Sequence, residues 1–411
     1  MAARTTGAGA STGRPEDWDR LLARRLATHR LLDPEPAGAD RAQAMTAVVD
    51  AILGAHAQVM VAGETSIGLR VDGATRSDVR HAVEETRTLV KAHGPRGTVH
   101  LLSADGLARW VGAMSWIGAS GSTPPVAMRL TPEQTETVLA ALGTALAGAE
   151  LTVDELDEAV IGATGPWAGD LVMPAFGGYW PRWRQLIGTS GHRGLLCFGR
   201  PRGRKVTYTS PRTWLPGFDP RPGARAAVDL VHAYLAGYGP ATAAEFATWL
   251  AIRPARAVEL FARAEQDPRL VRVDRVDRVD RGAAGVGVAC LDVADAPDVE
   301  PGMGQVRLLP LFDAYGVGSR PRERIFPGRA SERALAGGQA GNFPVVLVDG
   351  VVAGVWHQRL AGKRVRITVE MLEPPTAARR NAVEDQVDRV AAVLEATPDL
   401  TFGEITVGAH A

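Results

Sequence analysis

"DLVHAYLAGYGPATAAEFATWLAIRPARAVELFARAEQDPRLVRVDRVDRVDRG", Asp229 to Gly282, is the stretch on which the fold turns. Apolar residues recur at helical spacing up to Gly239-Pro240, a pair that marks a turn. Thr242 with Glu245 three residues on is a capping-box pair that opens a second helix, and Pro254 suits the first turn of a third. From Leu270 apolar and charged residues alternate, which is strand patterning. The thrice-repeated Val-Asp-Arg of Val273 to Arg281 is too short for a solenoid and reads as one strand with a solvated face. Helix, helix, helix, hairpin is the winged helix-turn-helix plan.

Two earlier segments share that grammar. "RSDVRHAVEETRTLVKAHGPRGTVHLLSADGLARWVGAM", from Arg76, predicts a helix, a Gly-Pro turn, a strand from Gly97 to Leu102 and a helix capped by Ser103. "RLTPEQTETVLAALGTALAGAELTVDELDEAVIGATG", from Arg129, opens one helix at Thr131 with Gln134 at the capping-box position and another at Thr152 with Glu155. After about Pro301 the composition turns to β: "GQVRLLPLFDAYGVGS", "FPVVLVDGVVAGVWHQRL" and "KRVRITVEML" are short apolar runs between Gly-rich turns. A surface helix after Pro375 closes the chain. The expected architecture is α+β: a disordered stretch 1–16, winged-helix lobes at 17–128, 129–222 and 223–300, and a small antiparallel β-domain with a C-terminal helix at 301–411.

A chain of 411 residues is too long for one core. Lys plus Arg equals Asp plus Glu at 46 each, so net charge gives no argument for a polyanionic partner. Cys197 and Cys290 form neither a disulfide framework nor a thiolate metal site, which fits the reducing cytoplasm, and no apolar stretch is long enough to span a membrane. Dinucleotide, NTP, zincin and α/β-hydrolase motifs are absent, "TSGHRG" at Thr189 to Gly194 reads as a loop, and the histidines have no metal-like spacing. No metal or cofactor is expected. Charge is nonetheless concentrated in one place: Arg182 to Arg212 holds eight Lys or Arg and no acid. Its "GRPRGRK" tip, between "RGLLCF" and "VTYTS", would project as a hairpin. It is either a phosphate-attracting patch or a solvated basic turn.

"ILGAHAQVMVAGETSIGLRV", Ile52 to Val71, sets His56 and Gln58 two apart in an apolar run. On a helix they would diverge by about 200°. If the helix that begins near Arg41 ends around Gly54, they fall on an irregular connection, and the spacing puts both on one side. The alternative is that each satisfies a backbone group at a helix end.

Four motifs in order, Ile52 to Val71, "RGTVHLLSADGLARWV" from Arg96, "LLPLFDAYGVGSR" from Leu308 and "VLVDGVVAGVW" from Val346, resemble the tandem winged-helix family that includes the AlkZ and YcaQ DNA glycosylases. The resemblance runs from about Trp18 to the end. It implies a C-shaped protein of three winged-helix lobes and a β-domain around a basic DNA channel. It also implies that the family's catalytic Gln-x-Gln or Gln-x-Asp falls on His56-Ala57-Gln58, with His56 where Gln is usual and Val59 where many members have Asp. A His-x-Gln branch tied to self-resistance against bulky alkylating antibiotics would fit.

The implied chemistry is excision of an N7- or N3-alkylated purine from double-stranded DNA. Its positive charge already weakens the glycosidic bond, so a held water and electrostatic support suffice. Gln58 would orient the water and a neutral His56 would take its proton. No lysine lies near the motif, so the expected enzyme is monofunctional and leaves an abasic site. Arg200, Arg202, Arg204 and Lys205 would contact phosphates, with Arg320, Arg322, Arg324, Lys363, Arg364 and Arg366 as further candidates. Asp313 and Tyr315 in "FDAY" read as structural. The competing reading is a non-catalytic winged-helix DNA-binding protein or transcriptional regulator. Such a regulator would usually be a dimer, whereas no dimer stripe is visible and a monomer is expected.

Overall fold

Reciprocal caps start helices where Thr stands three residues before Gln or Glu. Thr131/Gln134, Thr152/Glu155 and Thr242/Glu245 each exchange two hydrogen bonds at the heads of Pro132–Ala145, Val153–Thr164 and Ala243–Leu250. A fourth pair, Thr75/Asp78, starts Arg76–Glu84. Such caps contribute roughly 1 kcal/mol each. The computed structural model describes residues 18–38, 40–118, 125–175, 177–277 and 286–408. The expectations for residues 1–16 and for the end of the Val-Asp-Arg repeat lie outside the described residues.

The fold is mixed α+β with small sheets. In the opening stretch, helices Ala224–Tyr238, Ala243–Leu250 and Pro254–Ala264 precede strand Leu270–Asp277, which pairs antiparallel with Val286–Val293. Tyr234, Phe246, Trp249 and Leu291 share one core with Leu107 and Trp110 of helix Ala104–Ile117. These two distant segments pack closely: a Cβ at Gly112 would lie 2.8 Å from the Arg221 carbonyl oxygen. No helix among the described residues is long and apolar enough to cross a membrane.

Four expectations need correction. The helix from Arg41 ends at Ala51, not near Gly54, because Leu53 and Gly54 take positive φ and reverse the chain. "TLVKAH", read as helix, holds the strand Leu89–His93; the helix before it stops at Glu84, and Arg87 is left-handed at φ 56°. Thr189 to His192 belong to the helix Ile187–His192 rather than a loop. The C-terminal sheet is not wholly antiparallel: strands Val306–Leu309, Val345–Val348, Val351–Ala361, Arg364–Met371 and Thr397–Phe402 lie in that order, and the last pair is parallel. The reason is the crossover through helix Ala377–Val393, which returns the chain in the same direction. That helix is half-buried, with Val383, Val387 and Val390 packed in one core with Val365, Ile367 and Val369.

A buried ion pair ties the β-domain to the N-terminal half. Arg70 reaches Asp313 through two hydrogen bonds of 2.9 and 2.8 Å, Ser66 donates to the same carboxylate, and Asp313 caps the helix Ala314–Gly318 through Tyr315 N. Tyr315 donates its hydroxyl to the Gly350 carbonyl. Asp313→Ala would strand a buried guanidinium, so denaturant unfolding is expected to lose about 3–5 kcal/mol. A loss below about 1 kcal/mol would show that the pair does not hold the halves together.

Candidate active site

Gly54 is required at the reversal before the motif: its φ is 105°, and a Cβ there would meet Leu102 Cδ2 at 2.8 Å. The chain then forms the short strand Ala55–His56, antiparallel to Val99–Ser103 with His56 opposite His100. Ala57 N extends the ladder to the Val99 carbonyl at 2.8 Å. His56 therefore sits on a strand, not on the irregular connection expected from the sequence. Ala55 and Ala57 enter a core with Val48, Ile52 and Leu101, so His56 points the opposite way. The strand stops there, and Gln58 lies in the bend that follows it. Gln58 is exposed just ahead of helix Met60–Gly68, and its side chain makes no hydrogen bond to a described residue.

His56 is only 6% exposed. It lies against Phe312, ring centroids 4.5 Å apart, and edge-on to His100 at 5.1 Å. With Arg96, His100, Trp249 and Phe312 it lines a crevice with about 10 Å³ open to the centre of a water molecule, room for one water. Gln58 lies outside that crevice. Burial, with the Arg96 guanidinium adding to it, lowers the His56 pKa to about 4, so the imidazole is neutral at physiological pH. His56 Nδ1 has no hydrogen-bond partner among the described residues. His100 is also held neutral by burial, and its Nδ1 donates to the Thr98 carbonyl at 2.9 Å.

The basic tip lies between strands Cys197–Phe198 and Thr207–Thr209, with Arg202 bridged to Lys205. Its charges are partly answered within the protein. Arg200 meets Glu85 at 3.2 Å, Arg202 pairs with Glu155, and Lys205 reaches Asp154 at 2.9 Å. Arg204 is exposed and has no ion pair among the described residues. Exposed pairs of this kind contribute little, so a phosphate can displace the acids. In the β-domain, Lys363 and Arg364 are exposed at the turn between Val351–Ala361 and Arg364–Met371, and Arg366 reaches Asp399 at 3.6 Å. Arg324 lies over the Trp18 ring at 4.8 Å, a packing role that sequence reasoning missed. Arg320 and Arg322 turn toward backbone carbonyls beside the crevice. Phe312, His100 and Arg96 complete the site and were not singled out from the sequence. His100 reaches His56 only through strand register, Arg96 from the turn Pro95–Gly97 ahead of that strand and Phe312 through tertiary packing, so no local spacing marks them.

The class is that of DNA glycosylases. Residues 49–393 match the family described as DNA glycosylase AlkZ-like, and the chain belongs to that family. Among particular relatives, it is 28% identical over 357 residues to an interstrand DNA cross-link repair glycosylase of Streptomyces sahachiroi, across 83% of this chain and 87% of that protein. The solved Streptomyces sahachiroi DNA glycosylase AlkZ is similar in fold, with TM-score 0.74 over 95% of this chain and 100% of that one, at 24% identity. Family membership decides for an enzyme over a non-catalytic regulator.

Proposed function

We propose that this DNA glycosylase is a monofunctional hydrolase that removes bulky N7- or N3-alkylated purines from duplex DNA. His56 and Gln58 act on the attacking water. The observation that carries this reading is the neutral, largely buried His56 imidazole on the strand that also leads to Gln58. Gln58 orients the water through its side-chain carbonyl. The water oxygen bonds to C1′, the glycosidic bond breaks with its electron pair passing to the purine nitrogen, and the leaving base departs neutral. His56 takes the proton lost by the water. The lesion's own charge supplies the leaving-group activation that other hydrolases obtain from an acid.

The chain works as a monomer, with three winged-helix lobes and the β-domain forming a C around the duplex. The helix, helix, helix, hairpin order of Ala224 to Val293 supports one such lobe. The cross-link repair relative supports self-resistance against a bifunctional alkylating agent as the biological setting. The direct test is to incubate the protein with a duplex carrying N7-alkylguanine and then heat in alkali. Strand cleavage at the lesion is expected, and intact strands with a range of N7 and N3 adducts would refute the reading.

The basic hairpin carries a separate prediction. Arg204→Ala should reduce the log–log salt slope of duplex binding by about one unit, and Arg200, Arg202 and Arg204 together to Ala by at most about three, equally for damaged and undamaged DNA. An unchanged slope by filter binding would move the DNA path off this hairpin.

A further inference from the structure

Three guanidiniums gather around the rim of the His56 crevice, Arg96 lining it and Arg320 and Arg322 held on the carbonyl of its lining residue Val317, without a carboxylate among them. Arg96 lines the His56 crevice together with Val317, and its Nη1 donates to the Trp249 carbonyl at 3.2 Å. Arg320 Nη1 and Arg322 Nη2 each donate to the Val317 carbonyl at 3.1 Å, so these two groups are separated by no more than twice that distance. Arg320 also reaches the Ser319 carbonyl, and Arg322 that of Gly316. Among the described residues none of the three has an ion pair, whereas Arg70, Arg275 and Arg333 each hold a carboxylate. Glu245, which acts on Arg320 from a distance, is already engaged with Arg275.

Carbonyl dipoles satisfy individual N–H groups but do not cancel three like charges. Burial lowers the basicity of all three, repulsion from a neighbouring guanidinium adds to it at Arg96 and Arg322, and Arg322 falls to about 9. Arg96 is in addition held in the left-handed region, at φ 60°, where a non-glycine residue is uncommon. The arrangement is unfavourable alone and becomes favourable around an anion. Each of the three residues is partly exposed, which leaves an external anion a route to them. In a DNA glycosylase that anion is a phosphodiester, whose oxygens match the planar guanidinium fork. The electrostatics also require it: bare arginines would repel a cationic purine and the developing oxocarbenium, and a bound phosphate screens both.

We propose that Arg96, Arg320 and Arg322 clamp one backbone phosphodiester next to the nucleotide presented to His56, and that Arg96 is thereby a positioning residue for the attack. The clamp rests on the glycosylase reading above. It is distinct from the basic hairpin, where Arg200, Arg202 and Lys205 pair with acids.

The test replaces each phosphate within two nucleotides of the N7-alkylguanine by an uncharged methylphosphonate and compares wild type, Arg96→Gln and Arg96→Lys. One linkage should lower the wild-type single-turnover rate by about 10- to 100-fold when neutralised, as expected for loss of a charge-assisted contact. Arg96→Gln should lower the rate on native DNA by a similar factor, the two changes together should be no worse than either alone, and Arg96→Lys should recover part of the loss. Effects that multiply at every linkage would overturn the clamp and leave Arg96 a structural residue. Arg322→Gln, which removes the charge of another member of the clamp, repeats the comparison if Arg96→Gln does not fold. The same coupling is read in duplex affinity. Thus a wild type that binds with phosphate-specific coupling but excises nothing overturns the glycosylase reading and not the clamp.

Discussion

Gln58→Ala is expected to lower the single-turnover excision rate by about 10²- to 10³-fold, the scale set by removal of one pre-oriented dipole from a reacting centre. Duplex affinity should stay within about twofold, because an amide carbonyl neutralises no phosphate. The variant should also fold normally, since Gln58 is exposed and its side chain bonds no described residue. The combination is diagnostic: few surface substitutions leave stability and binding intact while abolishing turnover. Gln58→Glu adds a second arm. A carboxylate can still orient water but would also attract the cationic lesion, so it should retain more activity than the alanine variant. A near wild-type rate for Gln58→Ala in rapid-quench assays would remove Gln58 from the mechanism.

The second large effect concerns His56. As general base it should be worth about 10²- to 10⁴-fold, so His56→Ala is expected to fall by that amount. An unperturbed histidine would give an acid limb near neutrality, but burial lowers this pKa to about 4. The wild-type rate should therefore be flat between about pH 5.5 and 8.5 and fall about tenfold per unit only below the shifted value. His56→Gln should retain measurable excision without that acid limb. A rate that declines as pH rises through neutrality would instead mean a cationic role, which the depressed pKa argues against. A wild-type profile without an acid limb, with His56→Ala fully active, would reduce His56 to a packing residue.

Acid sensitivity of the fold must be separated from that limb. His29 and His93 are also lowered by burial, each to about 3, and His56 to about 4. Each is a base whose folded pKa lies below its unfolded value. The stability this represents is complete above the unfolded pKa and is lost as pH falls toward the folded one, because the unfolded chain takes up protons the native chain refuses. Activity below pH about 5.5 is accordingly best measured by brief pH jumps from a neutral stock.

Much of the helical skeleton was legible because helix starts are local chemistry. A threonine and an acid or amide three residues on can satisfy each other's backbone wherever they occur, and Thr131, Thr152 and Thr242 do so. The strand Leu270–Asp277 was readable from alternation for the same reason. "TLVKAH" misled because a short apolar run fits helix and strand equally. It becomes a strand only through pairing with Val99–Ser103. Likewise the parallel strand Thr397–Phe402 depends on Arg364–Met371, a partner separated from it by a whole helix.

The site divides in the same way. From the sequence alone came a histidine and a glutamine at a spacing suited to one side of an extended chain, and the family whose motif they match. Sequence could not supply the environment that makes the histidine useful. His56 is neutral because His100 lies beside it by register, Phe312 covers it from the β-domain and Arg96 stands in the same crevice. Those neighbours come from segments 40 to 256 positions away in the chain. Capping and alternation act over a few residues and can be read directly; burial and electrostatic neighbourhood are sums over residues that only the folded chain brings together.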